Sequence, residues 1–429
     1  KTLGDQLLRD VSVNGAQQAA LEDLTCTGTT DRMQCTIAAS DVFYLTSGLL
    51  PRPWTLLLRI DGDGLVEEIR NIERDTNFAD ELAGLACEDD VESRLVSGDS
   101  VHGWRVREGP FEESDFLALP ESGWTLLVQD VDKHLPDVAP LLEAFAFLPR
   151  WRLDDLMISY AAPGGSVGPH IDAYDVFLLQ GVGTRTWELD CAPGAAPRRQ
   201  DSELDVLACF EPDTRWSVEP GDIIYLPPGI AHFGHSDQPS MTCSIGFRAP
   251  SASEMFATTA RWLESTANGH YRDPDLAPAE VDGSRLSSAA IERARHLLET
   301  AAANADSRMA ELLGRLSTEV KPWLLPDPEE IQPDARSILD ALSAGGKLER
   351  HRGSRFAWFE DTGTCWLFAN GKSWLMPPGT AGFCRQVADG SHVGREHVNA
   401  DETGIVRTLV GLVGDGCLRW SDETSIGSK

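Results

Sequence analysis

The chain has 429 residues, enough for two or three domains each with its own core. Its 68 acidic against 37 basic residues give a formal net charge of −31, which argues against wrapping bare nucleic acid and suits a cationic partner, although a salt-adapted surface poor in lysine would carry the same excess. No apolar run approaches a membrane span, the N-terminus lacks a secretory pattern, and the nine cysteines form no Cys-x-x-Cys pair, so a cytoplasmic protein with reduced thiols and no membrane contact is expected.

Residues 1–75 have no assignment. Within them, Thr55 to Ile60 and Leu65 to Ile69 flank Asp61-Gly62-Asp63-Gly64 as an expected hairpin. A calcium loop starting at Asp61 fails, because Leu65, Val66 and Ile72 stand where an oxygen ligand, a glycine and a bidentate glutamate belong. From 76 to 250 short strands alternate with Gly, Pro and Asp, as a double-stranded β-helix of the cupin type requires. From 251 to 325 the reading is helical: Ser253 is expected to cap a helix carrying Phe256, Ala260 and Leu263. Leu286, Ala290, Ala294 and Leu297, then Met309, Leu312, Leu313 and Leu316, form apolar stripes that read first as plain core. From 326 to 429, Asp334 opens a helix bearing Ile338, Leu339 and Leu342. Gly345-Gly346 ends it, and strands meet at the Asn370-Gly371 turn. The fold class expected is mixed α and β.

Chemistry concentrates in the second region. His170-Ile171-Asp172 on a strand would send both outer side chains the same way. His232 follows the turn and buried strand Glu219 to Leu226 and a second turn at Pro227-Pro228-Gly229. Two imidazoles and one carboxylate form the facial set that holds Fe(II) with positions open. A lone His-x-Asp carries little weight, but here it does not stand alone. Arg185 follows the apolar run Val176 to Leu179 and the turn Gly181-Val182-Gly183, and is expected on a hairpin partner of the metal strand. It could meet the distal carboxylate of 2-oxoglutarate through a bidentate pair. On pattern alone the reading as a solvated strand residue is the favoured one.

The stretch Asp154-Asp155-Leu156-Met157-Ile158-Ser159-Tyr160, then Pro163 to Phe177 and Pro227 to His232, resembles the JmjC-type ribosomal oxygenases, and within them the bacterial arginine hydroxylases. The likeness runs from about Phe78 to the C-terminus and loosens after about Ala277. It implies a JmjC barrel, a helical dimerisation bundle over 251–325 and a winged-helix-like module over 326–429, in a homodimer. His170, Asp172 and His232 match iron ligands, and Arg185 and Ser159 match 2-oxoglutarate contacts. Asp155, Met157 and Tyr174 match a pocket for a substrate arginine, through charge pairing, thioether contact and ring stacking. Without the resemblance these three read as a turn cap, a core residue and a packed strand residue. The implied reaction uses Fe(II), 2-oxoglutarate and O2 to hydroxylate an arginine in a basic protein of the large ribosomal subunit. Left open are a related oxygenase acting on a protein histidine or methyl-lysine, and a non-enzymatic metal-binding cupin.

Overall fold

The computed structural model describes residues 25–29, 32–37 and 55–60 by their backbone. It then describes 78–421 apart from 144, 146–147, 191–196, 267–268, 274–283, 329–332 and 399–402. It divides into two compact units, 1–249 and 250–429.

In the first unit, ten strands form one sheet in the order β1-β2-β3-β12-β9-β14-β7-β6-β4-β5, and four form a second in the order β11-β10-β13-β8. The large sheet comprises β1 (Thr25–Thr29), β2 (Arg32–Ile37), β3 (Thr55–Ile60), β4 (Ser93–Asp99), β5 (Gly103–Glu108), β6 (Trp124–Val128), β7 (Leu153–Ala161), β9 (Val176–Val182), β12 (Asp222–Leu226) and β14 (Ser240–Phe247). The small sheet comprises β8 (His170–Ile171), β10 (Arg185–Asp190), β11 (Thr214–Val218) and β13 (Ala231–His235).

Two-residue periodicity sorts the central strands into two layers. On one face Leu156, Ile158, Phe177, Leu179, Ile223, Tyr225, Cys243 and Ile245 pack with Leu82, Val131 and Leu141 from the flanking helices. On the other, Leu178, Ile224 and Leu226 meet Trp187, Leu189 and Val218 of the small sheet, which closes the barrel. Buried on both sides, β12 and β9 read as continuous apolar runs; this is why Ile223 to Leu226 and Val176 to Leu179 stand out in the sequence.

Two expectations about the strands change. β9 and β10 do not form a hairpin: β9 pairs with β12 and β14, while β10 pairs with β11 and β13. The chain crosses between sheets at Gly183, whose φ of 64° and whose approach to the Pro239 carbonyl leave no room for a side chain. Arg185 therefore shares a sheet with β8, with β13 between them. At the N-terminal side, Thr55–Ile60 is a strand, but it pairs with β2 and β12, and the expected partner at 65–69 lies outside the described residues.

In the second unit the helix Ala252–Thr266 opens on Ser251 rather than Ser253. The Ser251 hydroxyl accepts from Glu254 N–H at 3.2 Å, and the Glu254 carboxylate accepts from Ser251 N–H at 2.8 Å. The apolar residues of 251–325 are not all plain core: Phe256 is 77% exposed, Leu286 75% and Met309 43%, whereas Leu312 and Leu316 are buried. Asp334 caps Ala335–Ser343 by accepting from Ser337 N–H at 2.8 Å, as expected, and Gly345 follows with φ 97°. The helices Ala335–Ser343, Ala381–Asp389 and Thr403–Gly414 pack Ile338, Cys384 and Leu409 against Leu367 of a three-stranded sheet. That sheet comprises the strands Phe356–Asp361, Thr364–Ala369 and Lys372–Met376. Asn370 and Gly371, at φ 47° and 76°, make its tight turn. Among the described residues no helix is long and apolar enough to cross a membrane.

Candidate metal centre and active site

β8 is only two residues long, and Asp172 stands just past its end. The segment is fixed from the opposite side: the Asp172 carbonyl accepts from Gly229 N–H at 2.9 Å, in the turn that leads into β13. His170 and His232 are direct cross-strand partners in the β8–β13 ladder, and their rings lie 4.2 Å apart between centroids. His170 Nε2 is 4.0 Å from Asp172 Oδ1, and His232 Nε2 is 3.6 Å from Oδ2. One ligand atom from each of the three lies within 4.8 Å of the others, so the predicted triad converges.

Its protonation suits a cation. His170 Nδ1 faces the Gly168 carbonyl at 2.9 Å and His232 Nδ1 faces that of Ile230 at 3.1 Å, which keeps the proton on Nδ1 and turns the Nε2 lone pairs toward Asp172. Burial, reinforced by His170, holds His232 well below the ordinary imidazole value. Burial raises the Asp172 carboxyl, opposed by His170 and by a hydrogen bond from Tyr174. A divalent ion relieves both burials at once.

Arg185 points inward and is 3% exposed. Its Nη1 donates to Thr242 Oγ1 at 3.5 Å and its Nη2 to the Gly234 carbonyl at 3.3 Å, and its guanidinium lies 5.1 Å from the Trp187 ring centre. Nε is buried without a hydrogen-bond partner, and among the described residues no carboxylate forms an ion pair with it. Burial pulls its pKa down to about 10. A buried guanidinium without a counter-anion is a site for an incoming carboxylate. Ser159 lies beside it, buried, with its hydroxyl donating to the Thr242 carbonyl at 3.4 Å.

On β7, Asp155, Met157 and Ser159 occupy alternate positions, while Leu156 and Ile158 fill the core behind. Asp155 Oδ2 accepts from Asp130 N–H at 3.1 Å. Burial lifts its pKa to about 7, helped by Asp130 and Asp154. No lysine or arginine pairs directly with it among the described residues. Tyr174, 41% exposed, stands at the mouth within hydrogen-bonding reach of Asp172.

Sequence reasoning missed the residues that connect these groups. Thr242 donates to Gln180 Oε1 at 3.0 Å and so joins Arg185 to β9. The polar Thr242 and Ser244 among apolar Met241, Cys243 and Ile245 are the legible signal, since on a barrel strand that alternation marks the lumen. Gln129 and Arg94, beside Asp155, left no such mark.

A double-stranded β-helix that gathers two imidazoles and a carboxylate near a buried arginine without a counter-anion among the described residues has the architecture of a JmjC-type oxygenase. The JmjC domain family matches residues 140–255, the ROXA-like winged helix matches 297–419, and the AraC-like ligand binding domain matches 211–355. The ribosomal protein uL16 3-hydroxylase of Escherichia coli is 37% identical over 297 residues, covering 68% of this chain and 77% of that protein. The probable ribosomal oxygenase of Haemophilus influenzae is 29% identical over 367 residues, covering 80% and 87%. The solved structure of YcfD, a ribosomal oxygenase from E. coli in complex with cobalt and 2-oxoglutarate, superposes with a TM-score of 0.65 at 32% identity, over 80% of this chain and 90% of that one. The chain belongs to the JmjC ribosomal oxygenases. It is a 2-oxoglutarate-dependent dioxygenase that uses Fe(II) and O2, and the donor set and the unpaired Arg185 fit that pair of ligands.

Proposed function

We propose that this enzyme hydroxylates an arginine side chain of a basic protein of the large ribosomal subunit, with uL16 the first candidate. The observation that carries this reading is Asp155: a half-buried, desolvated carboxylate, supplied with neutral N–H donors and, among the described residues, with no direct cation, on the strand face that also bears Ser159. A guanidinium is the partner such a group lacks.

In this reading His170, Asp172 and His232 hold the iron. Bound there with 2-oxoglutarate and O2, it supplies the oxidising power that puts one oxygen atom into a C–H bond, with succinate and CO2 as co-products. Arg185 and the Ser159 hydroxyl bind the distal carboxylate of the keto acid, and the apolar wall around Trp187 and Leu189 excludes water behind it. Asp155 pairs with the substrate guanidinium, Met157 lines the aliphatic stem, and Tyr174 covers the planar head from the solvent side. Gripping the charged end fixes which methylene reaches the centre, so selectivity among similar C–H bonds is positional.

Two further parts of the reading concern assembly. A homodimer through the 251–325 helices is supported by Phe256, Ile291 and Leu298, which are 77%, 48% and 72% exposed. Nucleic acid is not needed as a partner, and the net charge of −31 favours a cationic one. The deciding experiment is mass spectrometry of large-subunit ribosomal proteins incubated with enzyme, Fe(II), 2-oxoglutarate and O2. One added oxygen on an arginine is expected. The same mass on a histidine, or loss of methyl groups from lysine, would replace this reading.

A further inference from the structure

Resting on the assignment of Asp155 to a substrate guanidinium, we propose that Gln129, oriented by Arg94, is a positioning residue that sets the Asp155 carboxylate for its cation. Gln129 follows the last residue of β6, and Arg94 lies on β4, opposite Leu127 in the β4–β6 ladder. One orientation of the Gln129 amide satisfies both of its ends. Its nitrogen donates to Asp155 Oδ2 at 2.8 Å, and its oxygen accepts from Arg94 Nη2 at 3.1 Å. The same amide lies 3.4 Å from Met157 Sδ, so one side chain touches two of the three pocket residues.

A second donor reaches the same oxygen. Asp130 adopts φ 55°, uncommon for a residue with a side chain, and gives its N–H to Asp155 Oδ2 at 3.1 Å. Both donors converge on Oδ2, which fixes the plane of the carboxylate and leaves Oδ1 to meet a ligand. Arg94 Nε is buried with no partner. That arginine is held at the site by its bond to the amide.

The interposed amide has an electrostatic consequence. Had Arg94 reached Asp155 directly, the two would neutralise each other, and the guanidinium place would be taken. Through Gln129 the cation orients the carboxylate and leaves its charge for the substrate. The arrangement gives direction without neutralisation.

The test compares Michaelis constants in the iron-loaded, full-length enzyme, with an arginine-containing basic peptide as probe. Gln129→Leu keeps the bulk and removes the amide. It should raise KM for the peptide about tenfold while KM for 2-oxoglutarate moves less than twofold, the loss expected for one hydrogen bond to a charged group. Arg94→Met should shift peptide KM in the same direction by about threefold; it carries the test if Gln129→Leu does not fold. In an Asp155→Asn background Gln129→Leu should cost nothing more, because it acts through that carboxylate. Unchanged peptide KM in Gln129→Leu, with Asp155→Asn impaired, overturns this inference and spares the pocket assignment. A parallel rise in both Michaelis constants also overturns it, as the mark of a general packing defect. Unchanged peptide KM in Asp155→Asn removes the pocket assignment and this inference together.

Discussion

Burial presses two functional side chains, Asp155 and Arg185, toward their neutral forms, with opposite outcomes near neutral pH. Asp155 has its pKa lifted to about 7, so in the substrate-free enzyme much of it is neutral near physiological pH. A guanidinium needs the ionised form. We expect kcat/KM for an arginine peptide to climb as pH rises through about 7, with that limb absent from Asp155→Asn; rate profiles on the two proteins check it. Folding responds with the opposite sign. Because the folded value lies above the unfolded 3.8, the cost to stability grows between 3.8 and about 7 and is complete above that. Arg185 is the converse case, a cation kept ionised where burial disfavours it. Arg185→Met should raise KM for 2-oxoglutarate at least tenfold and leave the melting temperature of the ligand-free protein equal or higher. A clear loss of stability would show that Arg185 holds the barrel together rather than waiting for a ligand.

At the scale of strands, what the sequence could reveal depended on whether the signal was local. The triad was legible because His170 and Asp172 are two residues apart and His232 follows a distinctive Pro-Pro-Gly turn. The β9–β10 connection is not legible because apolar runs and glycines announce that the chain reverses, not which sheet it enters; the pairing is decided by strands dozens of residues away. Gln129 was invisible for a related reason, since its partners come from β4 and β7. The exposure of Leu286 and Met309 is invisible to the pattern because periodicity reports an apolar face and not what covers it. Within β13, Gly234 shows how finely a strand is fitted: a Cβ there would sit 2.8 Å from Arg185 Nε and from the Trp187 ring. Gly234→Ala should therefore displace Arg185, raising KM for 2-oxoglutarate and costing about 1–3 kcal/mol by overpacking. Chemical denaturation alongside kinetics would measure both, and a silent substitution would count against the contact.

For the molecule as a whole, the acidic excess concerns partners more than fold. A net charge of −31 should draw a cationic protein by long-range attraction that salt screens. We expect kcat/KM for a basic protein substrate to fall several-fold between about 0.05 and 0.5 M salt, while 2-oxoglutarate turnover at saturating substrate changes little; stopped-flow or steady-state rates across that range decide it. The second unit answers to different constraints. Gly314 lies where a Cβ would come within 2.4 Å of the Phe368 ring, so Gly314→Ala should lower thermal stability there.

The cross-strand pairing of His170 with His232 means that the spacing of the two nitrogen donors is inherited from the sheet lattice itself. Adding or deleting one residue in the turn at Pro227-Pro228-Gly229 would rotate His232 to the outside of the barrel and carry Gly234 with it. Such a length change should abolish iron uptake in a single step, where point substitutions in the same turn would only weaken it. The number of residues in that turn is thus constrained more tightly than their identity, Gly229 with its φ of 90° and its N–H on the Asp172 carbonyl excepted.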